Sequence, residues 1–275
     1  MRIGLIGCGR VGITLFSLLR RNNHLVGVYD INRKNEKRAL RLLRIKKNPK
    51  LSELCRSSEA LFFATPDDQI LKSFTRARPY IQSRQYVFHF SGLLPASVFP
   101  RWKKVYRGSI HPFATFPTIM IPPQKKYFLF IEGDREAKKA AWKIFRKKYF
   151  TIRSITKKIK VHYHLTGVFA SNLLIGLLLA VHTLAKRIGW RERDFYEVVF
   201  SIIEETLRNT KKYKLKNALS GPLKRGDVEV IKKHVHTLYK DKDLLNIYKT
   251  VSLYILKNVT KGTGRKEIET LLKKV

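Results

Sequence analysis

Residues 1–30, MRIGLIGCGRVGITLFSLLRRNNHLVGVYD, contain the pattern that decides the fold of the N-terminal half. A G-x-G-x-x-G turn at 7–12 follows an apolar run at 2–6 and opens an amphipathic stretch at 11–21. In a βαβ unit these glycines permit a tight turn, close approach of a pyrophosphate, and close packing of helix on strand. The pyrophosphate binds at the helix N-terminus, where free N–H groups favour negative charge. The predicted cofactor-binding residues of this turn are Gly7, Cys8, Gly9, Arg10, Val11 and Gly12.

Asp30 ends the second predicted strand, eighteen residues after Gly12. A carboxylate in this position hydrogen-bonds the adenosine ribose hydroxyls and repels a 2′-phosphate, which favours NAD. Arg33 and Lys34 follow directly and could instead bind a 2′-phosphate, and Asp30 could serve only as a helix cap. The cofactor is therefore predicted to be NAD or NADP, with a preference for NAD.

The composition is that of a globular protein, with 275 residues and 44% hydrophobic content. The N-terminus has no secretory signal pattern, and Cys8 and Cys55 form no C-x-x-C pair. We therefore expect a cytoplasmic protein without a disulfide framework or a metal site.

The net charge is strongly positive, because 57 Lys and Arg face 20 Asp and Glu, giving +37. Such a charge attracts polyanions, including nucleic acid and the phosphates of a cofactor. The basic residues are spread along the chain, however, and match no motif that reads nucleic acid. This pattern favours a basic, solvated surface, and a nucleic-acid-associated protein is the less favoured alternative.

The two halves of the chain have different periodicities. Short apolar runs alternate with amphipathic stretches in the first half, which predicts an α/β Rossmann domain with a mostly parallel, doubly wound sheet. The second half is predicted to be all-α, so the expected domains are 1–155 and 156–275. The predicted strands are 2–6, 24–29, 60–64, 86–90, 105–109 and 127–131. The predicted helices of the second half are 162–189, 193–213, 228–239, 244–259 and a short C-terminal one.

The segment at 165–185 carries no formal charge and is long enough to cross a membrane. It also contains polar side chains, such as Ser171 and His182, that would be costly against lipid. A helix that is apolar on all sides is equally typical of the centre of a helical domain. We therefore expect a buried helix of a soluble protein, with no membrane partner.

Five further motifs stand out along the chain. They are ATPDD at 64–68, HFSG at 89–92, GSIHPF at 108–113, YH at 163–164 with ASN at 170–172, and SGPLKRGD at 220–227. With these motifs the chain resembles oxidoreductases that join a Rossmann-like domain to the domain of unknown function 2520. That family is similar to 6-phosphogluconate dehydrogenase, 3-hydroxyisobutyrate dehydrogenase, pyrroline-5-carboxylate reductase and the F420-dependent NADP reductases.

The resemblance implies an NAD(P)-dependent oxidoreductase whose C-terminal domain is like that of 6-phosphogluconate dehydrogenase. It further implies a homodimer formed through the helical domain. A small, anionic substrate would bind between the two domains. The alternative is a catalytically silent protein that senses or sequesters NAD(P).

Several residues of these motifs are candidate site residues. Thr65, Pro66 and Ser91 follow predicted strands and should border the cofactor, since ligands bind at the carboxyl ends of parallel strands. Pro66 could equally be only a turn former, and the neighbouring Asp67 and Asp68 could be helix caps.

His111 and His164 are the candidate proton donors or acceptors, because an imidazole titrates near neutral pH. Asn172 and Ser171 follow His164 by about two helical turns and so share roughly one face with it. His111 could instead satisfy loop backbone groups, and the polar helix residues could bind neighbouring helices. The catalytic candidates are thus His111, His164 and Asn172, with Ser171 as a substrate-binding candidate.

One position departs from the better-known relatives. Their helix carries a catalytic lysine one turn before an asparagine, and here Val168 occupies the lysine position while Asn172 can stand for the asparagine. A proton must then come from a histidine, or the substrate needs none. Arg225 is the second substrate-binding candidate, for a carboxylate or phosphate. It could instead form a structural turn with Asp227, which could also cap the next helix.

Overall fold

The computed structural model describes residues 1–121, 126–145, 148–259 and 264–275. By internal contacts the chain divides into two compact units, Met1–Asn172 and Leu173–Val275. The helix Lys160–Val168 groups with the first unit, in which Lys160 and Tyr163 are buried. The predicted domain boundary between residues 155 and 156 stays a prediction.

A single sheet forms the centre of the first unit, with strand order β2-β1-β3-β4-β5-β6-β7. Strands β1 to β5 pair in parallel, β6 runs antiparallel to β5, and β7 is parallel to β6. This mostly parallel, doubly wound sheet confirms the predicted fold class. The strands are β1 (Arg2–Ile6), β2 (His24–Tyr29), β3 (Ala60–Phe63), β4 (Tyr86–His89), β5 (Tyr106–Pro112), β6 (Tyr127–Gly133) and β7 (Phe150–Ser154).

Helices connect the strands and continue after the sheet. In the first unit they are α1 (Arg10–Leu19), α2 (Arg33–Leu42), α3 (Leu51–Ser57), α4 (Asp67–Ala77), α5 (Arg135–Ile144) and α6 (Lys160–Val168). In the second they are α7 (Leu174–Arg187), α8 (Glu192–Asp194), α9 (Phe200–Tyr213), α10 (Leu215–Ala218), α11 (Pro222–Arg225), α12 (Val228–Leu238), α13 (Lys242–Asn258) and α14 (Arg265–Lys274).

The sheet is buried on both faces, as the continuous apolar sequence of β3 shows. Phe62 lies in one core cluster and Phe63 in the other, because successive strand side chains point to opposite faces. Phe62 stacks on Phe88 with ring centres 5.0 Å apart, and Phe63 contacts Phe99 at 5.2 Å. Full burial of one such side chain contributes about 1.5–3 kcal/mol to folding.

Asn48 lies along the outer edge of β2. Its side-chain amide donates to the carbonyl of Val28 and its side-chain oxygen accepts from the Val28 N–H, both at 3.0 Å. Since β2 is the last strand on this side of the sheet, the two bonds satisfy backbone groups that have no neighbouring strand.

The helical second unit confirms the all-α prediction, but the expected burial of its apolar helix is wrong for the single chain. The helical run Lys157–Arg187 has the length and apolarity of a membrane span, and only 6% of its most apolar window is buried. The main cluster of this unit centres on Ile231, Leu256 and Ile268, which belong to α12, α13 and α14. Most side chains of α7 lie outside that cluster and are exposed.

Candidate functional site

The Gly-rich turn has the backbone that the sequence predicts. Gly7 has φ +94°, and a Cβ there would lie 2.7 Å from the carbonyl carbon of Ala64. At Gly12 a Cβ would lie 2.9 Å from the Cβ of Ala64, so this glycine lets α1 pack on β3. A Cβ on Gly9 would meet only the Ala64 oxygen at 3.7 Å. Two glycines therefore shape the turn, and Gly9 leaves space above it.

That space is a cavity of about 430 Å³ at the carboxyl ends of β1, β2 and β3. Its walls include five predicted cofactor-binding positions besides Gly7, namely Cys8, Gly9, Asp30, Thr65 and Pro66. Lys72 and Arg76 of α4 also line the cavity. The start of α1 at Arg10 directs its free N–H groups toward this turn. A bare-backbone turn at a helix N-terminus suits a dinucleotide pyrophosphate.

The Asp30 carboxylate connects the turn to β2. It accepts from the Cys8 N–H at 2.7 Å and from the Asn32 N–H at 2.8 Å. Asn32 caps α2, accepting from the N–H of Lys34 and Asn35, so the reading of Asp30 as that cap is wrong. Asp30 instead holds the turn and lines the cavity.

Arg33, predicted to bind a phosphate, does not line this cavity. Its guanidinium pairs with Glu36 at 3.0 Å, and its side chain is 80% exposed. Among the described residues that line the cavity, the cations are Lys72 and Arg76. The cations that line this cavity thus come from α4.

The Cys8 thiol takes no part in this polar surface. Burial, with the nearby Asp30 carboxylate as a second cause, raises the pKa of Cys8 far above its usual value. The thiol is therefore neutral and serves as a small apolar side chain, while the Cys8 N–H donates to the Asp30 carboxylate.

Ser91 follows β4 as predicted, but its hydroxyl is occupied within the protein. It donates to Asp67 at 2.7 Å and accepts from the N–H groups of Leu93 and Leu94 at 3.1 and 2.8 Å. Asp67 makes no capping bond to α4, so the reading of Asp67 as a helix cap is wrong. The pair instead joins the loop after β3 to the loop after β4.

His111 and His164 lie together at the next position along the sheet. Their ring centres are 6.1 Å apart, and the Tyr163 hydroxyl lies 2.6 Å from Nδ1 of His111. A Cβ on Gly92 would lie 2.5 Å from His164 and 2.9 Å from Nε2 of His111. The glycine of the Ser91–Gly92 turn thus lets the backbone touch both imidazoles.

The charge state of His111 follows from its surroundings. Burial, then the positive charge of Lys160 and the neighbouring His164, lower the pKa of His111 to about 3. At neutral pH its imidazole is uncharged, and one ring nitrogen can accept a proton while the other donates one.

Sequence reasoning missed two buried groups in this region. Lys160, 2% exposed, donates to the Ser91 carbonyl and the Ser109 hydroxyl. His89 accepts from the Ser91 N–H and bonds the Pro95 carbonyl, which fixes a neutral ring. The only available signal for Lys160 was its position one helical turn before Tyr163 and His164.

The remaining candidates lie elsewhere. Ser171 bonds the Gly167 carbonyl at 2.7 Å and the Asn172 side chain at 3.0 Å. Among the described hydrogen bonds, neither residue bonds His111 or His164. Arg225 pairs with Asp227 in the second unit, the structural turn that the sequence left open. Asp227 occupies the N-cap position of α12, as predicted, but its carboxylate pairs with Arg225 and makes no side-chain capping bond.

Two family profiles match the chain. Residues 1–100 match a Rossmann-like domain, and residues 127–255 match DUF2520, a domain of unknown function. The chain thus combines a Rossmann-like domain with a DUF2520 domain. This confirms the resemblance read from the motifs. No curated protein is similar enough to this Rossmann–DUF2520 chain to count as a match.

Solved structures share the fold of this Rossmann–DUF2520 protein. A "putative NADP oxidoreductase" from Bacteroides fragilis has TM-score 0.77 and 21% identity, covering 92% of this chain and 97% of its own. A protein from Thermotoga maritima has TM-score 0.68 and 20% identity, with 93% and 97% covered. A semialdehyde dehydrogenase NAD-binding protein from Cupriavidus necator, in complex with calcium and NAD, has TM-score 0.65 and 15% identity, with 88% and 96% covered.

Proposed function

We propose that this protein is an NAD(P)-dependent oxidoreductase that acts on a small, anionic substrate. One observation carries the proposal: the hydrogen bond between Asp67 and Ser91 joins the cofactor cavity to the loop that touches both histidines. Thr65 and Pro66, next to Asp67, line that cavity. In doubly wound sheets the reacting end of a cofactor lies at such adjacent strand ends.

Bound NAD(P) would supply the hydride acceptor or donor, held by the Gly-rich turn and Asp30. His111 is the proposed proton acceptor in the oxidation direction, because its imidazole is uncharged at neutral pH and has a free electron pair, although its low pKa makes it a weaker base than a free histidine. With Nδ1–H donating to the Tyr163 oxygen, Nε2 is free to accept the proton of a substrate hydroxyl. His164, beside Gly92, would hydrogen-bond the substrate oxygen and orient it.

The substrate class rests on charge. The +37 net charge raises the local concentration of anions around the protein. Binding of a carboxylate or phosphate by Arg225, and placement of the substrate between the domains, stay predictions. The catalytic role of Asn172 and the substrate-binding role of Ser171 also stay predictions.

Two measurements test the function in sequence. Fluorescence titration with NADH and NADPH should show saturable binding, and no binding up to millimolar concentration would refute the proposal. A panel of small hydroxy acids and amino acids should then yield a substrate whose oxidation falls at least about 100-fold in His111→Gln, a typical effect of losing a general base. The same variant should bind NADH with unchanged affinity, because His111 does not line the cofactor cavity.

We propose NAD as the preferred cofactor, because the Asp30 carboxylate lines the cavity and would repel a 2′-phosphate. Asp30→Asn should lower the ratio of the NADPH dissociation constant to the NADH dissociation constant by at least about tenfold. This change corresponds to about 1.4 kcal/mol of binding free energy. Lys72 and Arg76 make the opposite outcome testable. If Lys72→Ala weakens NADPH binding but not NADH binding, the 2′-phosphate is accepted at α4 and the preference is for NADP.

A catalytically silent NAD(P)-binding protein is the second candidate, and Val168 in place of the relatives' lysine favours it. Binding of NADH without turnover of any substrate in the panel would support this function. Turnover that depends on His111 would exclude it.

We also propose that a second copy of the chain covers the exposed apolar surface of α7. Side chains on this helix are exposed around most of its circumference, with Ile175 at 57% and Leu179 at 61%. The two buried clusters of the second unit contain only eight and three residues among those described. A dimer interface that resembles half of a domain core would complete this small core.

The apolar surface continues onto α9, where Ile202 is 63% exposed. The same helix exposes Glu204, Glu205 and Arg208, which are costly against lipid. A protein partner therefore fits this surface better than a bilayer, and location in the cytoplasm stays a prediction.

Light scattering of the purified chain should give twice its 32.1 kDa mass in detergent-free buffer. Leu177→Glu on α7 should yield the monomer. Leu71→Glu on α4, a leucine of similar exposure, should remain dimeric. A wild-type monomer would refute the dimer, and partition of the wild type into detergent micelles would favour a membrane.

A further inference from the structure

Lys160 is a buried cation to which the proposed reaction gives no role. It is the first residue of α6 and only 2% exposed. Its ammonium donates to the Ser109 hydroxyl at 2.7 Å and to the Ser91 carbonyl at 3.0 Å. A buried charge is costly to retain, so a lysine held by two neutral oxygens calls for an explanation.

The ammonium lies under the loop that carries Gly92. The Ser91 carbonyl, which leads into Gly92, accepts from both Lys160 and the Ser109 hydroxyl, the latter at 3.2 Å. On the other side of the loop, Asp67 holds the Ser91 hydroxyl. Hydrogen bonds therefore hold the Ser91–Gly92 turn on two sides, from Lys160 to the Ser91 carbonyl and from the Ser91 hydroxyl to Asp67.

The ammonium also lies close to His111. Ser109 and His111 are two residues apart on β5, so their side chains share a face and are spaced by about 6.6 Å. One helical turn after Lys160, Tyr163 reaches the His111 ring from the same helix. β5 and α6 therefore place the ammonium and the imidazole side by side.

We propose that Lys160 is a positioning residue, whose buried ammonium holds the Ser91–Gly92 turn against the two histidines and lies beside the His111 imidazole. The charged and titratable groups around His111 are Lys160, Tyr163 and His164 from α6, with Asp67 and Glu132 acting through Lys160 from α4 and β6. Burial is the largest cause of the low pKa of His111, and the charge of Lys160 is the second. The value of this arrangement for catalysis rests on the proposed function, whereas the positioning itself does not.

The test is an NMR titration of His111 in the cofactor-free protein, with the imidazole signal assigned by its loss in His111→Asn. In the wild type the His111 pKa should lie well below 6.5. In Lys160→Gln, which keeps an N–H donor for Ser91 and Ser109 but removes the charge, it should rise by about one unit or more. Lys160→Met removes charge and donor together and should raise it at least as far.

Two controls separate charge from packing. Lys160→Arg keeps the charge and should leave the His111 pKa low. Ser109→Ala removes one acceptor of the ammonium without changing any charge, and it should also leave the His111 pKa low. A wild-type pKa near 6.5 would overturn the proposal, and so would equal shifts in Ser109→Ala and Lys160→Gln. The wild-type value and the Ser109→Ala comparison decide the question even if Lys160→Met fails to fold.

The same variants carry a kinetic readout. If a substrate is found, the acid limb of its kcat/KM profile should move to higher pH in Lys160→Gln by the shift seen in the titration. Failure to bind NADH would refute the proposed function and leave the titration result standing. A His111 pKa that is low in the wild type and equally low in Lys160→Gln would refute only the role proposed for Lys160.

Discussion

Alanine at two glycines of one turn should separate stability from cofactor binding. Gly7→Ala forces a side chain onto a residue with φ +94° and places its Cβ 2.7–2.8 Å from the backbone of Ala64 and Thr65. The left-handed backbone alone costs about 1–2 kcal/mol for an L-residue. Because the clashing atoms belong to the backbone of the central strand β3 and the loop after it, they cannot move aside cheaply. We therefore expect a total loss of at least about 2 kcal/mol.

Gly9→Ala is the matched variant. Its Cβ would meet only the Ala64 oxygen at 3.7 Å, an ordinary van der Waals contact, so stability should change by less than about 0.5 kcal/mol. The methyl group would instead occupy the cavity in which we propose that the pyrophosphate binds. NADH affinity should fall at least about tenfold, or about 1.4 kcal/mol.

Thermal unfolding and NADH fluorescence titration measure the two effects. For Gly7→Ala, a loss of about 2 kcal/mol corresponds to a decrease in Tm of about 4–8 °C for a unit of this size. Gly9→Ala should retain the wild-type Tm in the absence of cofactor. Equal Tm losses in both variants, or normal NADH affinity in Gly9→Ala, would show that the roles of the two glycines have been assigned wrongly.

Three other outcomes follow from the buried groups. Burial lowers the pKa of His89 and of His111 to about 3, so the unfolded chain binds more protons below pH 6.5. Stability should therefore fall as the pH drops from about 6.5 toward 5 in urea titrations, and His89→Gln should flatten this slope; a slope unchanged in that variant would count against a buried neutral His89. Tyr163→Phe removes the partner of His111 Nδ1 and should reduce substrate oxidation at least about tenfold with unchanged NADH affinity, whereas full activity would show that Tyr163 does not orient the ring. Burial raises the pKa of Cys8 and of Cys55, the latter to about 12, so neither thiol should react with a thiol reagent until the chain unfolds. Rapid labelling of the native protein would contradict this.

The fold of the Rossmann-like half could be predicted from sequence because its signals are local. β1 and β2 have the predicted bounds, and the glycines occupy the conformations that their spacing indicated. The third strand ends one residue early, at Phe63, since the following residues turn into the cavity wall. β7 was missed because Phe150–Ser154 is short and buries only two side chains, too few for a clear alternation.

The details of the candidate site depend on long-range contacts that no spacing rule reveals. Sequence reasoning could place Ser91 just after β4, but it ended the next strand at Ser109 and took His111 as a loop residue, whereas β5 continues through His111 to Pro112. It could not show that Asp67 occupies the Ser91 hydroxyl, or that a lysine 51 residues after Ser109 bonds its side chain. The apolar helix was expected to be buried because its sequence is that of a core helix. Burial, however, depends on what packs against α7, and the described part of the single chain places too few apolar side chains against this helix.

The Asn48 side chain beside β2 affects how this protein behaves in a crowded solution. An unpaired strand edge is a template on which another chain can add a strand, which is how many sheets begin to aggregate. By bonding both the N–H and the carbonyl of Val28, the Asn48 amide occupies the place of a neighbouring strand at that residue. One asparagine thus blocks edge-to-edge association at that point, and a substitution there would endanger solubility before it weakened the fold.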